Sequence, residues 1–165
     1  MGGKTLLSRK AVAVVFALLV GVGVAACAPP APAPTGSGSP SDAFQSQLFQ
    51  AVNADRASQG LPAFAWNGAL AGKASAWAQQ MAAANKLYHQ NLSALLGDPC
   101  CSGFHTLGEN IMVGPGSMSA GSIEAAWRGS ALHWANITNR AFTQIGIGYY
   151  RGPDGRIWAV QDFGG

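Results

Sequence analysis

Charge is scarce in this chain. Only 10% of its 165 residues are Asp, Glu, Lys or Arg, and the glutamates are just two, Glu109 and Glu124. There is no basic run, so the phosphate contacts that dominate nucleic-acid binding have no source, and nucleic acid is excluded as a partner. The formal charge of +3 overstates the balance: Lys4, Arg9 and Lys10 lie at the extreme N-terminus, leaving seven basic residues against seven acids. Cysteine and histidine are equally sparse, three of each. No internal repeat is present, which excludes solenoid and propeller arrays. The apolar stretch over residues 11–24 falls short of the roughly 20 residues that span a bilayer.

What the N-terminus does contain is a basic start, an apolar segment and the small residues "VAAC" ending at Cys27. That is the order of an export signal, and its end resembles the lipobox of bacterial lipoprotein precursors. The resemblance implies a signal peptide over residues 1–26 and a lipid on Cys27, which would hold the protein on a membrane. "APPAPAPTGSGSP" follows; proline extends its first half and Gly/Ser loosens the second, so residues 27–41 read as a tether. One folded domain over residues 42–165 remains, long enough for its own core and expected to be a monomer. Its two cysteines, Cys100 and Cys101, are adjacent. A Cα separation of about 3.8 Å lies below the usual disulfide range, so a strained vicinal disulfide, a pair of thiols and an intermolecular bond all stay open. The spacing is poor for a structural zinc site.

Apolar residues recur at helical spacing over residues 43–58, with Ser41 and Asp42 as caps and Gly60 and Pro62 beyond the end. A second helix, alanine-rich and capped by Asn67, is predicted to run to about residue 88, with Trp77 and Met81 on one face. Residues 90–107 read as loop and 109–113 as a short strand. A third helix is expected from about Ser122, which would cap it. "AFTQIGIGYYRG" and "GRIWAVQDFGG" flank "PDG" as a hairpin, with Ile145, Ile147 and Tyr149 alternating on one strand and Ile157, Ala159 and Gln161 on the other. Helices before a late hairpin give an α+β order.

Glu109 enters an apolar run, "ENIMV", and a buried acid needs a partner. The candidates are His89, His105 and His133. Two histidines and a carboxylate from separate segments suit a divalent ion, zinc foremost. Ser130 and His133 lie three apart, on one face if that segment is helical.

The order "LYHQN", "LGENI", "AW..S..H..NI.N" and "IGIGYY...DGRIWAVQDFGG" resembles the CAP superfamily of cysteine-rich secretory proteins, venom antigen five and pathogenesis-related plant proteins, together with its bacterial relatives. The resemblance spans nearly all of residues 42–165. It implies a three-layer α-β-α sandwich around a small, mainly antiparallel sheet, with a cleft lined by two histidines and two acids. Carried over by motif, these are His89, Glu109 and His133. The second acid, three residues after the tryptophan, falls on Ser130 and is absent. Many bacterial relatives share this shortened segment, and a four-ligand metal site is put in doubt. His105 matches no position in the pattern and reads as a loop residue.

Three functions follow as expectations. The first is an exported CAP domain, anchored in the envelope or secreted, whose cleft binds a divalent metal or a small or lipidic ligand. Trp66, Trp77, Trp127, Trp134 and Trp158 would supply apolar walls or, at their spacing, core. The second is a hydrolase using Ser130 as nucleophile, His133 as base and Glu109 as orienting acid; no "GxSxG" elbow accompanies them, and Ser130 would also serve as a helix cap. The third is a structural or adhesive protein with a vestigial cleft.

Overall fold

The computed structural model describes residue 1 and residues 38–165. The expected signal peptide, lipidation at Cys27 and tether up to residue 37 lie outside the described residues. So does the Cys100 side chain, and with it the vicinal bridge to Cys101.

The chain forms α1 (Ala43–Ser58), β1 (Ala65–Trp66), α2 (Gly68–Ala84), α3 (Leu92–Leu96), a 3-10 turn (Pro99–Cys101), β2 (Leu107–Pro115), α4 (Ala120–Arg128), α5 (Ala131–Ile137), β3 (Gln144–Arg151) and β4 (Arg156–Gly164). The sheet order is β1-β3-β4-β2, with β1 parallel to β3 and the other pairs antiparallel. The expected α+β sandwich is present: α2 covers one face, and α1, α4 and α5 cover the other.

Local chemistry sets the helix starts. Asp42 accepts from the Gln45 N–H at 2.8 Å, and Asn67 accepts from the Ala69 and Leu70 N–H groups at 3.0 Å, satisfying amides that a helix start leaves open. α2 stops at Ala84, earlier than its pattern suggested, because Asn85 takes a left-handed conformation at φ 48°. The Asn85 and Lys86 N–H groups then close back onto Ala82 and Met81, a glycine-type stop with asparagine in the glycine's place. Ser119 rather than Ser122 caps α4, accepting from the Ser122 N–H. β1, α3 and the 3-10 turn fall where the sequence showed only turn and loop.

The period of "IGIGYY" builds the two layers. Ile145 and Ile147 join Leu48, Val52, Ile123, Trp127 and Phe163 in the core under α1 and α4. Gly146 and Gly148 alternate with them and turn a bare backbone to α2. A Cβ on Gly146 would meet Ala71 N at 2.1 Å. Beside this contact, Ala74, Ala78 and Met81 of α2 pack on Ile111, Trp158 and Val160. Trp66, Trp127 and Trp158 are core residues, while Trp77 and Trp134 are half-buried.

Candidate functional site

β2 is an edge strand whose side chains alternate between the two layers. Ile111 and Val113 face α2, and Met112 faces the other layer. Glu109 therefore shares the α2 face with its cross-strand neighbour Asp162, while Asn110 and its neighbour Gln161 share the opposite face.

The segment after α2 folds over Glu109. The His89 ring donates from Nδ1–H to Glu109 Oε2, and the Gln90 N–H reaches the same carboxylate at 3.3 Å. Gln90 Nε2 donates to Glu109 Oε1 at 2.8 Å and also to Asp162 Oδ1 at 3.0 Å. One amide thus bridges two buried carboxyls. Burial, and then the Glu109 charge, push the Asp162 carboxyl well above the usual range, so the pair is spared two adjacent charges. Glu109 is 1% exposed at its side chain and His89 61%. The acid is interior and its imidazole partner faces water. With Nδ1 committed to Glu109, His89 Nε2 is left for a ligand.

His133 arrives on α5, which two asparagines fasten along β2. Asn110 Nδ2 donates to the His133 carbonyl at 3.1 Å, and Asn136 Nδ2 donates to the Glu109 carbonyl at 3.1 Å and to Asn110 Oδ1 at 2.9 Å. The asparagine after Glu109 and the one after His133 are therefore scaffold. Burial, with the His89 imidazole second, holds His133 below the usual histidine range. His133 Nδ1 is buried without a hydrogen-bond partner among the described residues.

Of the residues read from sequence, the structure joins His89 to Glu109 directly and brings His133 to the same edge. Ser130 sits at the N-cap of α5, its carbonyl accepting from the Trp134 N–H at 2.8 Å, but its side chain makes no cap bond. No hydrogen bond joins Ser130 to His133 among the described residues, and Glu109 orients His89 rather than His133. A Ser130–His133–Glu109 relay is not assembled in this arrangement. His105 is exposed in a loop, its backbone N–H bonded to the Gly165 carbonyl. Gln90 and Asp162 escaped the sequence analysis. Asp162 had one visible signal, an acid inside the apolar strand "RIWAVQDFG".

A hollow of about 570 Å³ lies between the end of α2 and the β3–β4 turn, lined among others by Gln79, Asn85, Tyr150 and Arg156. Arg156 and Asp162 are six residues apart on β4, about 20 Å, and neither Glu109 nor the histidines line this hollow.

Residues 49–163 match the family model described as CAP, the cysteine-rich secretory protein family. The uncharacterized protein YkwD of Bacillus subtilis is 33% identical over 128 residues, covering 74% of this chain and 48% of that protein. The chain therefore spans about half the length of this curated relative. Among solved structures, an outer surface protein of Borrelia burgdorferi superposes with a TM-score of 0.67 at 16% identity, covering 79% of this chain and 98% of the other. An extracellular protein containing a SCP domain from Bacillus anthracis superposes with a TM-score of 0.61 at 25% identity, covering 78% and 44%. With residues 49–163 matched to the family model and with the segment after α2, β2 and α5 meeting at Glu109, this chain belongs to the CAP family.

Proposed function

We propose that the protein is an exported CAP domain that binds a divalent ion, zinc by donor chemistry, between His89 and His133 at the edge of β2. The observation that carries this reading is the His89–Glu109 bond. A carboxylate behind an imidazole fixes its tautomer and raises its basicity, the usual support of a metal-binding histidine. His133, held neutral by burial and by its neighbour, competes little with protons for an ion.

Ser130 supplies no second acid, and among the described residues no three His, Cys, Asp or Glu side chains converge closely enough to enclose an ion. The donors thus suit a shallow two-imidazole site completed by water or ligand oxygens, not a closed structural centre. A bound ion would supply a Lewis-acidic anchor for a carbonyl or anionic group of a small or lipidic ligand. Export is supported by the leader in the sequence and by the extracellular and outer-surface relatives. A lipid on Cys27 would keep the site at the membrane.

Isothermal titration of zinc into the full chain tests this. Saturable uptake is expected, weakened more than about tenfold by His89→Ala or by His133→Ala and unchanged by His105→Ala. Equal uptake by wild type and the His89→Ala/His133→Ala double variant would rule the site out.

A further inference from the structure

A second pair of acids lies on the other face of the sheet, between α1 and α4. Asp55 and Glu124 are 6% and 2% exposed. Asp55 Oδ1 accepts from Arg128 Nη1 at 2.6 Å, and Glu124 Oε2 accepts from Gln161 Nε2 at 2.8 Å. The remaining oxygen of each, Asp55 Oδ2 and Glu124 Oε1, is buried with no donor among the described residues. Buried acceptors without partners are rare because each forfeits the hydrogen bond it had in water. Here the two carboxyl groups lie within hydrogen-bond reach of one another. Two acceptors cannot satisfy each other, but a single proton between them satisfies both.

We propose that Glu124 is a neutral carboxylic acid in the folded protein and donates its proton to Asp55 Oδ2, so that α1 and α4 are joined by an acid pair that opens when that proton is lost. Glu124 is the carrier because Asp55 already has the Arg128 guanidinium, whereas Glu124 has an uncharged amide. The electrostatics agree in direction: burial, and then the Asp55 charge, push Glu124 up to about 8. Asp55 from α1, Gln161 from β4 and Arg128 on α4 itself are the groups that act on it.

A folded acid raised above its unfolded value stabilises the fold fully below the unfolded value, near 4.5 here, and loses that contribution as pH rises through about 8. Ionised Glu124 would leave two carboxylates against one guanidinium. The break would not stay local. Gln161 Oε1 accepts from Asn110 Nδ2 at 3.0 Å, and that same amide holds the His133 carbonyl. The pair is therefore connected through two side chains to the segment that carries His133.

The chain has two glutamates, so labelling glutamate with 13C at the carboxyl carbon yields two signals from the full-length protein. The expected result is one signal, assigned to Glu124 through its own backbone amide, that titrates with a midpoint near 8. A Glu124 signal already that of a carboxylate at pH 6 overturns the proposal. Thermal unfolding supplies the second measurement. The wild-type midpoint should fall between pH 6 and pH 9, and Glu124→Gln should flatten that fall, because its amide donates to Asp55 Oδ2 while its carbonyl accepts from Gln161. A fall as steep in Glu124→Gln as in wild type also overturns it.

Discussion

Gly148→Ala is expected to destabilise the protein by more than about 4 kcal/mol, at the far end of what a single methyl can do. The added carbon would sit 2.0 Å from Ser75 N and 2.3 Å from the Ala74 carbonyl carbon. Both are backbone atoms of α2, with no rotamer to move away. The helix must lift off β3, and lifting it strips Ala74, Ala78 and Met81 from Trp158 and Val160. Urea unfolding checks this, with Gly72→Ala as the control. Gly72 is exposed on α2 and a Cβ there meets nothing within 4 Å, so the same substitution should stabilise by about 0.5–1 kcal/mol through lower chain entropy. Losses of similar size at both positions would mean that α2 does not rest on the bare backbone of β3.

The second large effect is expected at Arg56, where methionine should cost about 3–5 kcal/mol. The side chain is 2% exposed, and its guanidinium donates to four backbone carbonyls: Pro62 at 2.7 Å, Ile137 at 2.8 Å, Asn139 at 3.1 Å and Phe142 at 3.5 Å. It also lies 3.7 Å over the Phe64 ring, a cation–π contact. Burial, and then Arg140, lower it to about 10, so it stays charged at neutral pH. Methionine fills the volume but leaves these carbonyls without donors. Lysine should not rescue, since a point ammonium cannot fork toward the turn after α1, the end of α5 and the approach to β3 together. Guanidinium-chloride unfolding of the two variants decides it. Arg56→Lys as stable as wild type would show that charge, not the fork, is what matters.

Both residues show why part of this fold was legible in sequence and part was not. Caps are local, so Asp42 and Asn67 marked two helices before any coordinates. Strand alternation is also local: it groups Ile145 with Ile147 on one strand and Ile157 with Ala159 on the other, and all four lie in one core layer. The glycines between the isoleucines carry no local signal of their contact, because it is set by a helix some seventy residues earlier. Arg56 sits in a helical stretch that looks like surface, and its acceptors lie in loops whose approach no periodicity encodes.

The site divides the same way. Motif order placed His89, Glu109 and His133 together, but spacing alone could not, and it left three histidines equivalent. Asp162 needed the β2–β4 register to bring it opposite Glu109, and Gln90 needed the fold of the segment after α2. By sequence, Ser130 serves equally as a nucleophile or as a helix cap. It holds the cap position, but its side chain makes no cap hydrogen bond. Glu124 has no sequence signal of its acid partner, which is 69 residues away in the chain.

The His89–Glu109 bond fixes the ring that the proposed ion would need. Long-range 1H–15N correlation of the histidine rings in the full chain at pH 8 tests it most directly. His89 is expected to carry its proton on Nδ1 with Nε2 bare, and added zinc is expected to shift the Nε2 resonance of His89 and to perturb the His133 ring. A His89 ring protonated on Nε2, with neither His89 nor His133 responding to zinc, would contradict it.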